Sequence, residues 1–368
     1  MPVRKNIYLA VLGTGGVGQT FLAQLQSLPK PPLLIYLATA QNTLFSEDFR
    51  PLALSDWSSQ LARSQQPRLP PHDLASYLAL APGRVVLIDN TAAQEVAEAY
   101  PEFLKKGISI CTPNKKAFSG TWALWNDIWH AAANSLHTPN PTGGFCYHES
   151  SVGAGLPIIS TINDLVATGD KVTKIEGIFS GTMSFLFNNF APVSGVGGGK
   201  FSDEVKKAKK MGFTEPDPRD DLNGLDVARK VTILARLAGV RVEGPTSFPV
   251  QSLIPAPLAS CRSGDEFLDK LHEYDSEMEK VKKAAEAEGK VVRFVGSVDV
   301  EKGTLKVGLE KFDKSSAIAN LKGSDNIISF YTRRYGANPL IVQGAGAGGE
   351  VTAMGVLGDL LKVMQRLH

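Results

Sequence analysis

Cysteine is scarce in this chain: three in 368 residues, Cys111, Cys146 and Cys261. They are too few and too scattered for a disulfide framework or a zinc knuckle, which points to a reducing compartment. An excess of one charge is missing as well, since 39 basic and 37 acidic residues leave a formal charge of +2. Without a block of like charge, nucleic acid and membrane surfaces are poor partners. No apolar run approaches the roughly 20 residues that a membrane span needs. The start, Met1-Pro-Val-Arg-Lys-Asn6, passes within a few residues into a short β-like run and lacks a secretory h-region. These absences leave a cytoplasmic protein whose partner is a small molecule. Its hydrophobic fraction of 43% and its length suit a chain of two domains.

What is present begins with a strand, a glycine turn and a helix. The apolar run Ile7–Leu12 ends at Gly13-Thr14-Gly15-Gly16-Val17-Gly18, and Phe21, Leu22, Leu25 and Leu28 follow at helical spacing. The spacing G-x-G-x-x-G is that of a dinucleotide site: the first glycine allows the tight turn, the second lets backbone approach a pyrophosphate, and the third lets helix pack on strand. Further strands are expected at Leu33 to Leu37, Arg84 to Ile88 and Gly107 to Ile110. Ligands of doubly wound sheets lie beyond the carboxyl ends of strands, so Asn90, Thr91, Asn114 and Lys115 are expected to face one crevice. After the second strand comes Thr39-Ala-Gln-Asn42, without the acid that often grips a ribose 2′-hydroxyl and without a nearby arginine for a 2′-phosphate, Arg50 being the first. NAD and NADP both stay open.

After Gly143 the texture changes and a second domain begins. Val193 to Lys200 is glycine-rich but fails the phosphate-loop spacing and reads as a flexible loop. Ser276 to Lys290 reads as a charged, solvated helix, Val291 to Val298 with Thr304 to Leu309 as antiparallel strands, and Asn326 to Thr332 as another. Pro339 to Val342, a glycine turn through Gly348 and an apolar helical pattern close the chain. That unit is expected to return to the first domain, making the second an insertion. The expected fold is α/β, a Rossmann-type dinucleotide-binding domain (1–150 plus 340–368) with an inserted α+β part.

The run Glu215 to Lys230 carries the chemistry. On a 3.6-residue wheel Leu222, Asp226, Lys230, Ile233 and Leu237 share a stripe, and Val227, Val231, Leu234 and Ala238 cover the next, leaving Arg229, Thr232 and Arg236 for water. Asp226 and Lys230 can therefore touch on a face that is at least half buried, where an unpaired charge is costly. Such a lysine is tuned toward proton transfer, burial lowering its pKa and the carboxylate raising it. Beside a nicotinamide site this implies hydride transfer at a carbonyl, with Lys115 and Lys230 flanking the oxygen. The acids Glu215, Asp221 and Asp226 predict a substrate that carries an ammonium group.

These motifs resemble homoserine dehydrogenase in its monofunctional fungal form. The resemblance rests on Gly13-x-Gly15-x-x-Gly18, Thr-Pro-Asn-Lys115-Lys, Glu149-x-x-Val152-Gly-Ala154-Gly-Leu156-Pro, Gly177-Ile-Phe-Ser-Gly-Thr182 and, above all, Glu215-Pro-Asp-Pro-x-Asp-Asp221-Leu-x-Gly-x-Asp226-x-x-Arg-Lys230. It implies NAD(P)-dependent interconversion of L-homoserine and L-aspartate 4-semialdehyde, on the branch toward threonine, methionine and isoleucine. It further implies that Lys230 moves the proton, with Lys115 its partner, and that Glu215, Asp221, Asp226 and Thr182 bind substrate. Thr91 and Gly348 would contact the cofactor, and a sodium-type cation would rest on Glu149 and the carbonyls of Val152, Ala154 and Leu156. The resemblance implies a homodimer too, with a dimerisation region (151–163 plus 318–339) beside a substrate domain (164–317). The chain shows neither the kinase region of the bifunctional enzymes nor a regulatory module, so feedback through one is not expected. Two rival readings remain: a thioester-forming semialdehyde dehydrogenase using Cys146 and His148, and a non-catalytic dinucleotide sensor.

Overall fold

The computed structural model describes residues 6–194 and 198–367. Part of the loop expected at Val193 to Lys200, residues 195–197, lies outside the described residues, as do residues 1–5. The chain divides into two compact units, one running to Ile159 and resuming at Ala347, the other Ser160–Gly346.

The first unit is built on a six-stranded sheet of order β3-β2-β1-β4-β5-β6: β1 (Ile7–Leu12), β2 (Leu33–Ala38), β3 (Thr43–Phe45), β4 (Arg84–Asp89), β5 (Ser109–Cys111) and β6 (Cys146–Tyr147). All neighbours are parallel except β3, which folds back on β2. Every residue of β1 is buried, because helices cover both faces of a parallel sheet. Ile7, Leu9 and Val11, alternate residues of β1, pack with Phe21, Leu22 and Leu25 of the helix Gly16–Gln26 and with Val356, Leu360 and Val363 of the helix Gly349–Leu367. The last helix thus does return to this unit.

The strand before it does not. β11 (Leu340–Gly344) pairs antiparallel with β10 (Asn326–Thr332) at the edge of the second unit's sheet, of order β11-β10-β7-β8-β9, with β7 (Val172–Ile178), β8 (Lys290–Asp299) and β9 (Thr304–Asp313). A strand and helix joined by glycines were expected to move as one unit. Instead Ile341 and Val342 find backbone partners in Ser329 and Ile328, and the chain leaves this sheet through the glycines. The helix Ile158–Ala167 spans the division at 159/160, so residues 151–163 contribute to both units. The charged helix is shorter than expected, Asp275–Glu286, with β8 starting at Lys290, and its Lys282 is buried against the Phe190 ring.

Candidate active site

In the first unit the glycine loop follows β1 directly. Gly13 has φ +87°, a backbone state that side chains resist, and a Cβ on Gly18 would stand 2.0 Å from the Gly13 carbonyl oxygen. Gly15 and Gly16 are the opposite case, with open space where side chains would be. That is a cradle of bare backbone at the N-terminus of an 11-residue helix, the arrangement a pyrophosphate needs. Thr14 and Val17, the other two loop residues, are half-buried between these glycines.

Several expected neighbours converge on this loop. A Cβ on Gly13 would meet the Thr91 methyl and the Asn90 carbonyl, each at 3.0 Å, and one on Gly349 would lie 3.7 Å from the Gly16 carbonyl, so Thr91 and Gly348 both border the loop. Behind them stands Asp89, whose role the sequence reading missed. One of its carboxylate oxygens accepts from the Thr91 N–H at 2.8 Å and hydroxyl at 2.6 Å, the other from the Tyr100 hydroxyl at 2.6 Å and the Asn114 amide at 3.1 Å. Burial pushes this carboxyl up, and the four donors oppose that shift. Asn114 in turn accepts from the Lys116 N–H at 3.1 Å, fixing the turn that carries Lys115. An acid closing an apolar strand just before Asn-Thr was the available signal.

Farther along the same unit, Glu149 is 6% exposed. Its carboxylate accepts from the Ile159 N–H at 2.7 Å and lies 3.5 Å from the Lys362 ammonium. Gly153 and Ala154 have φ of +77° and +54°, a left-handed pair that turns the backbone between Val152 and Leu156. Among the described residues no cluster of three or more side-chain ligands could hold a metal ion, so a hard cation here would rest on this one buried carboxylate and on peptide carbonyls. Lys362 would share that carboxylate with it.

The thioester reading fails in the same region. Cys146 is 1% exposed and burial pushes its thiol up, away from the reactive thiolate. His148 is stacked on Phe118 with its Nδ1 2.8 Å from the Ser151 hydroxyl, and burial drives its pKa down to about 3.

In the second unit the acidic run forms a short turn of helix, Arg219–Leu222, and then the helix Leu225–Leu237. Gly224 joins them at φ +75°, where a side chain would strain the junction. Lys230 is 7% exposed. Its ammonium is 2.6 Å from an Asp226 oxygen and donates at 2.6 Å to the Phe179 carbonyl. Asp226, one turn earlier, leaves 44% of its side chain exposed. Asp221 accepts from the Thr182 hydroxyl at 2.9 Å and from the Glu215 N–H at 2.8 Å, and burial raises its pKa. Glu215 itself is exposed. Thr182, Asp221 and Glu215 therefore form one linked group, and Asp226 and Lys230 another, with Thr182 reaching the acidic run from the helix Gly181–Phe190.

Two polar residues assigned to water are buried instead: Thr232 is 0% and Arg236 4% exposed. The Thr232 hydroxyl donates to the Ala228 carbonyl at 2.8 Å, and Arg236 to the Val242 carbonyl just past the helix, at 2.8 Å. Backbone oxygens supply the partners that let these two polar positions be buried.

The chain matches two family descriptions, "Homoserine dehydrogenase" over residues 157–361 and "Homoserine dehydrogenase, NAD binding domain" over residues 13–138. It is 59% identical over 376 residues to a homoserine dehydrogenase of Paracoccidioides brasiliensis and 54% identical over 366 residues to that of Saccharomyces cerevisiae, covering 99% of each chain in both cases. Among solved structures, a Candida auris protein described as of unknown function has a TM-score of 0.92 at 49% identity, over 99% of both chains. A mutant of a hyperthermophilic archaeal homoserine dehydrogenase in complex with NADPH shares the fold, with a TM-score of 0.71 at 21% identity over 98% of both chains. On glycine cradle, buried lysine pair and these likenesses together, the chain belongs to the homoserine dehydrogenase family.

Proposed function

We propose that this chain interconverts L-homoserine and L-aspartate 4-semialdehyde by moving the hydroxyl proton through Lys230. The observation that carries this is the Lys230 ammonium, buried and held between the Asp226 carboxylate and the Phe179 carbonyl. In the oxidation direction the neutral amine takes the hydroxyl proton, and Asp226 stabilises the ammonium that forms. The nicotinamide, when bound, accepts the hydride. Reduction reverses the proton's path. Lys115, from the turn fixed by Asn114, stabilises charge at the reacting oxygen. Glu215, Asp221 and Asp226 supply negative charge for the substrate ammonium, and Thr182 orients Asp221 through its hydroxyl.

The glycine loop Gly13, Thr14, Gly15, Gly16, Val17 and Gly18, with Thr91, Lys115 and Gly348, holds the dinucleotide. A sodium-type monovalent cation on Glu149, Val152, Ala154 and Leu156 belongs to the same reading, supported by the buried carboxylate and the turned backbone beside it. So does a homodimer through residues 151–163 and 318–339, where Tyr335 is 47% exposed. A cytoplasmic location fits the three free cysteines. No helix among the described residues is long and apolar enough to cross a membrane.

The test is absorbance of reduced nicotinamide with homoserine and each dinucleotide. Homoserine-dependent reduction is expected. Dinucleotide binding without any turnover of homoserine or aspartate semialdehyde would favour the sensor.

A further inference from the structure

The residues beside β2 bear on which dinucleotide this chain favours. β2 ends at Ala38 without an acid, and the Thr39 hydroxyl accepts from the N–H groups of Gln41 and Asn42 at 3.1 and 2.9 Å, closing a tight turn. A segment distant in sequence is stitched to that turn: Asn42 forms an antiparallel bridge with Pro67, and the Arg68 N–H donates to the Gln41 carbonyl at 3.0 Å. The next N–H, of Leu69, donates to the Tyr36 hydroxyl at 3.2 Å, so two successive residues are pinned to β2 or its exit. The Arg68 side chain is only 14% exposed, and its guanidinium lies 3.0 Å from the carboxylate of Glu95, which is 63% exposed. Glu95 stands just beyond Thr91, in the segment after β4.

Arg68 thus links the exits of β2 and β4, the two strands that flank β1 and its glycine loop. In a sheet of this kind the exit of the second strand is where the adenosine ribose is read: an acid accepts from its 2′-hydroxyl, and an arginine accommodates a 2′-phosphate. Here the acid is missing and an arginine is held there by backbone bonds made far from its own place in the sequence. Resting on the dinucleotide reading, we propose that Arg68 determines cofactor specificity, its guanidinium binding the 2′-phosphate of NADP(H) and pairing with Glu95 when that phosphate is absent. The guanidinium is planar, with several donors in a fixed fork that matches a phosphate bidentately, and an ion pair to a carboxylate as exposed as Glu95 is worth little. Its main-chain anchors cost nothing to reorganise when one anion replaces the other. Glu95 opposes the phosphate twice, as a rival for Arg68 and as a like charge.

The experiment is calorimetric titration of the full chain with NADP+ and with NAD+, for the parent, Arg68→Leu, Arg68→Lys and Glu95→Gln. Arg68→Leu is expected to raise the Kd for NADP+ about tenfold or more and to leave that for NAD+ within about twofold. Arg68→Lys should restore part of the loss. Glu95→Gln should tighten NADP+ several-fold with little change for NAD+. Equal weakening of both dinucleotides by Arg68→Leu would make the pair a structural staple and overturn the proposal, as would no change for NADP+. Should Arg68→Leu fail to fold, Glu95→Gln decides: an unchanged NADP+ to NAD+ ratio overturns it. A parent chain that binds neither dinucleotide would instead remove the dinucleotide reading, and this proposal with it.

Discussion

Asp89 in the first unit and Asp221 in the second are both carboxylates whose pKa burial raises, yet they are held differently. Asp89 is 0% exposed, and four neutral donors share its two oxygens. Asp221 is only half-buried and has the acids Glu215 and Asp226 beside it, each raising its pKa further. A carboxylate sealed by N–H and O–H groups organises backbone. One kept partly open among other acids stores unfavourable charge that a cationic ligand relieves.

Breaking the sealed case should have the largest effect on folding. Asp89→Leu removes the acceptor shared by the Thr91, Tyr100 and Asn114 donors in the interior, leaving the Thr91 N–H and hydroxyl without it, and a loss of roughly 2–4 kcal/mol is expected from thermal or denaturant melts. A melt unchanged from the parent would remove Asp89 from its organising role.

Acid pH sharpens the contrast within the first unit. His148 is neutral in the fold down to about pH 3, while the unfolded chain takes up that proton near pH 6.5. Between those values the unfolded state binds more protons at this site, so the His148 contribution to stability falls as pH drops from about 6.5 toward 3 and is flat above. His148→Gln should lose less melting temperature than the parent between pH 7.5 and 4.5. Parallel curves would contradict the buried, neutral imidazole.

The open case should respond in function more than in stability. Asp221→Asn is expected to raise the Michaelis constant for homoserine about tenfold while moving the melt little, as loss of one charge-assisted contact would. An unchanged constant with a much lower melt would place Asp221 with Asp89, as a structural acid.

The same distinction explains what was legible in the sequence. The glycine loop and the Asp226–Lys230 pair are local patterns, a turn that needs bare backbone and a spacing of one helical turn, so Gly13 to Gly18 and Lys230 stand out from sequence alone. Thr232 and Arg236 were misread because a helical wheel shows which positions are polar but not the Ala228 and Val242 carbonyls that receive them. β11 was misplaced because a strand and a helix joined by glycines need not pack together. Arg68 was invisible for a stronger reason: its approach to the β2 turn depends on a bridge between Asn42 and Pro67 that no periodicity records.

The most direct measurement is of Lys230→Ala, with homoserine turnover and dinucleotide affinity taken on one preparation. A proton-moving Lys230 predicts turnover at least ~10²-fold lower with affinity for the dinucleotide retained. Turnover equal to the parent's would contradict it.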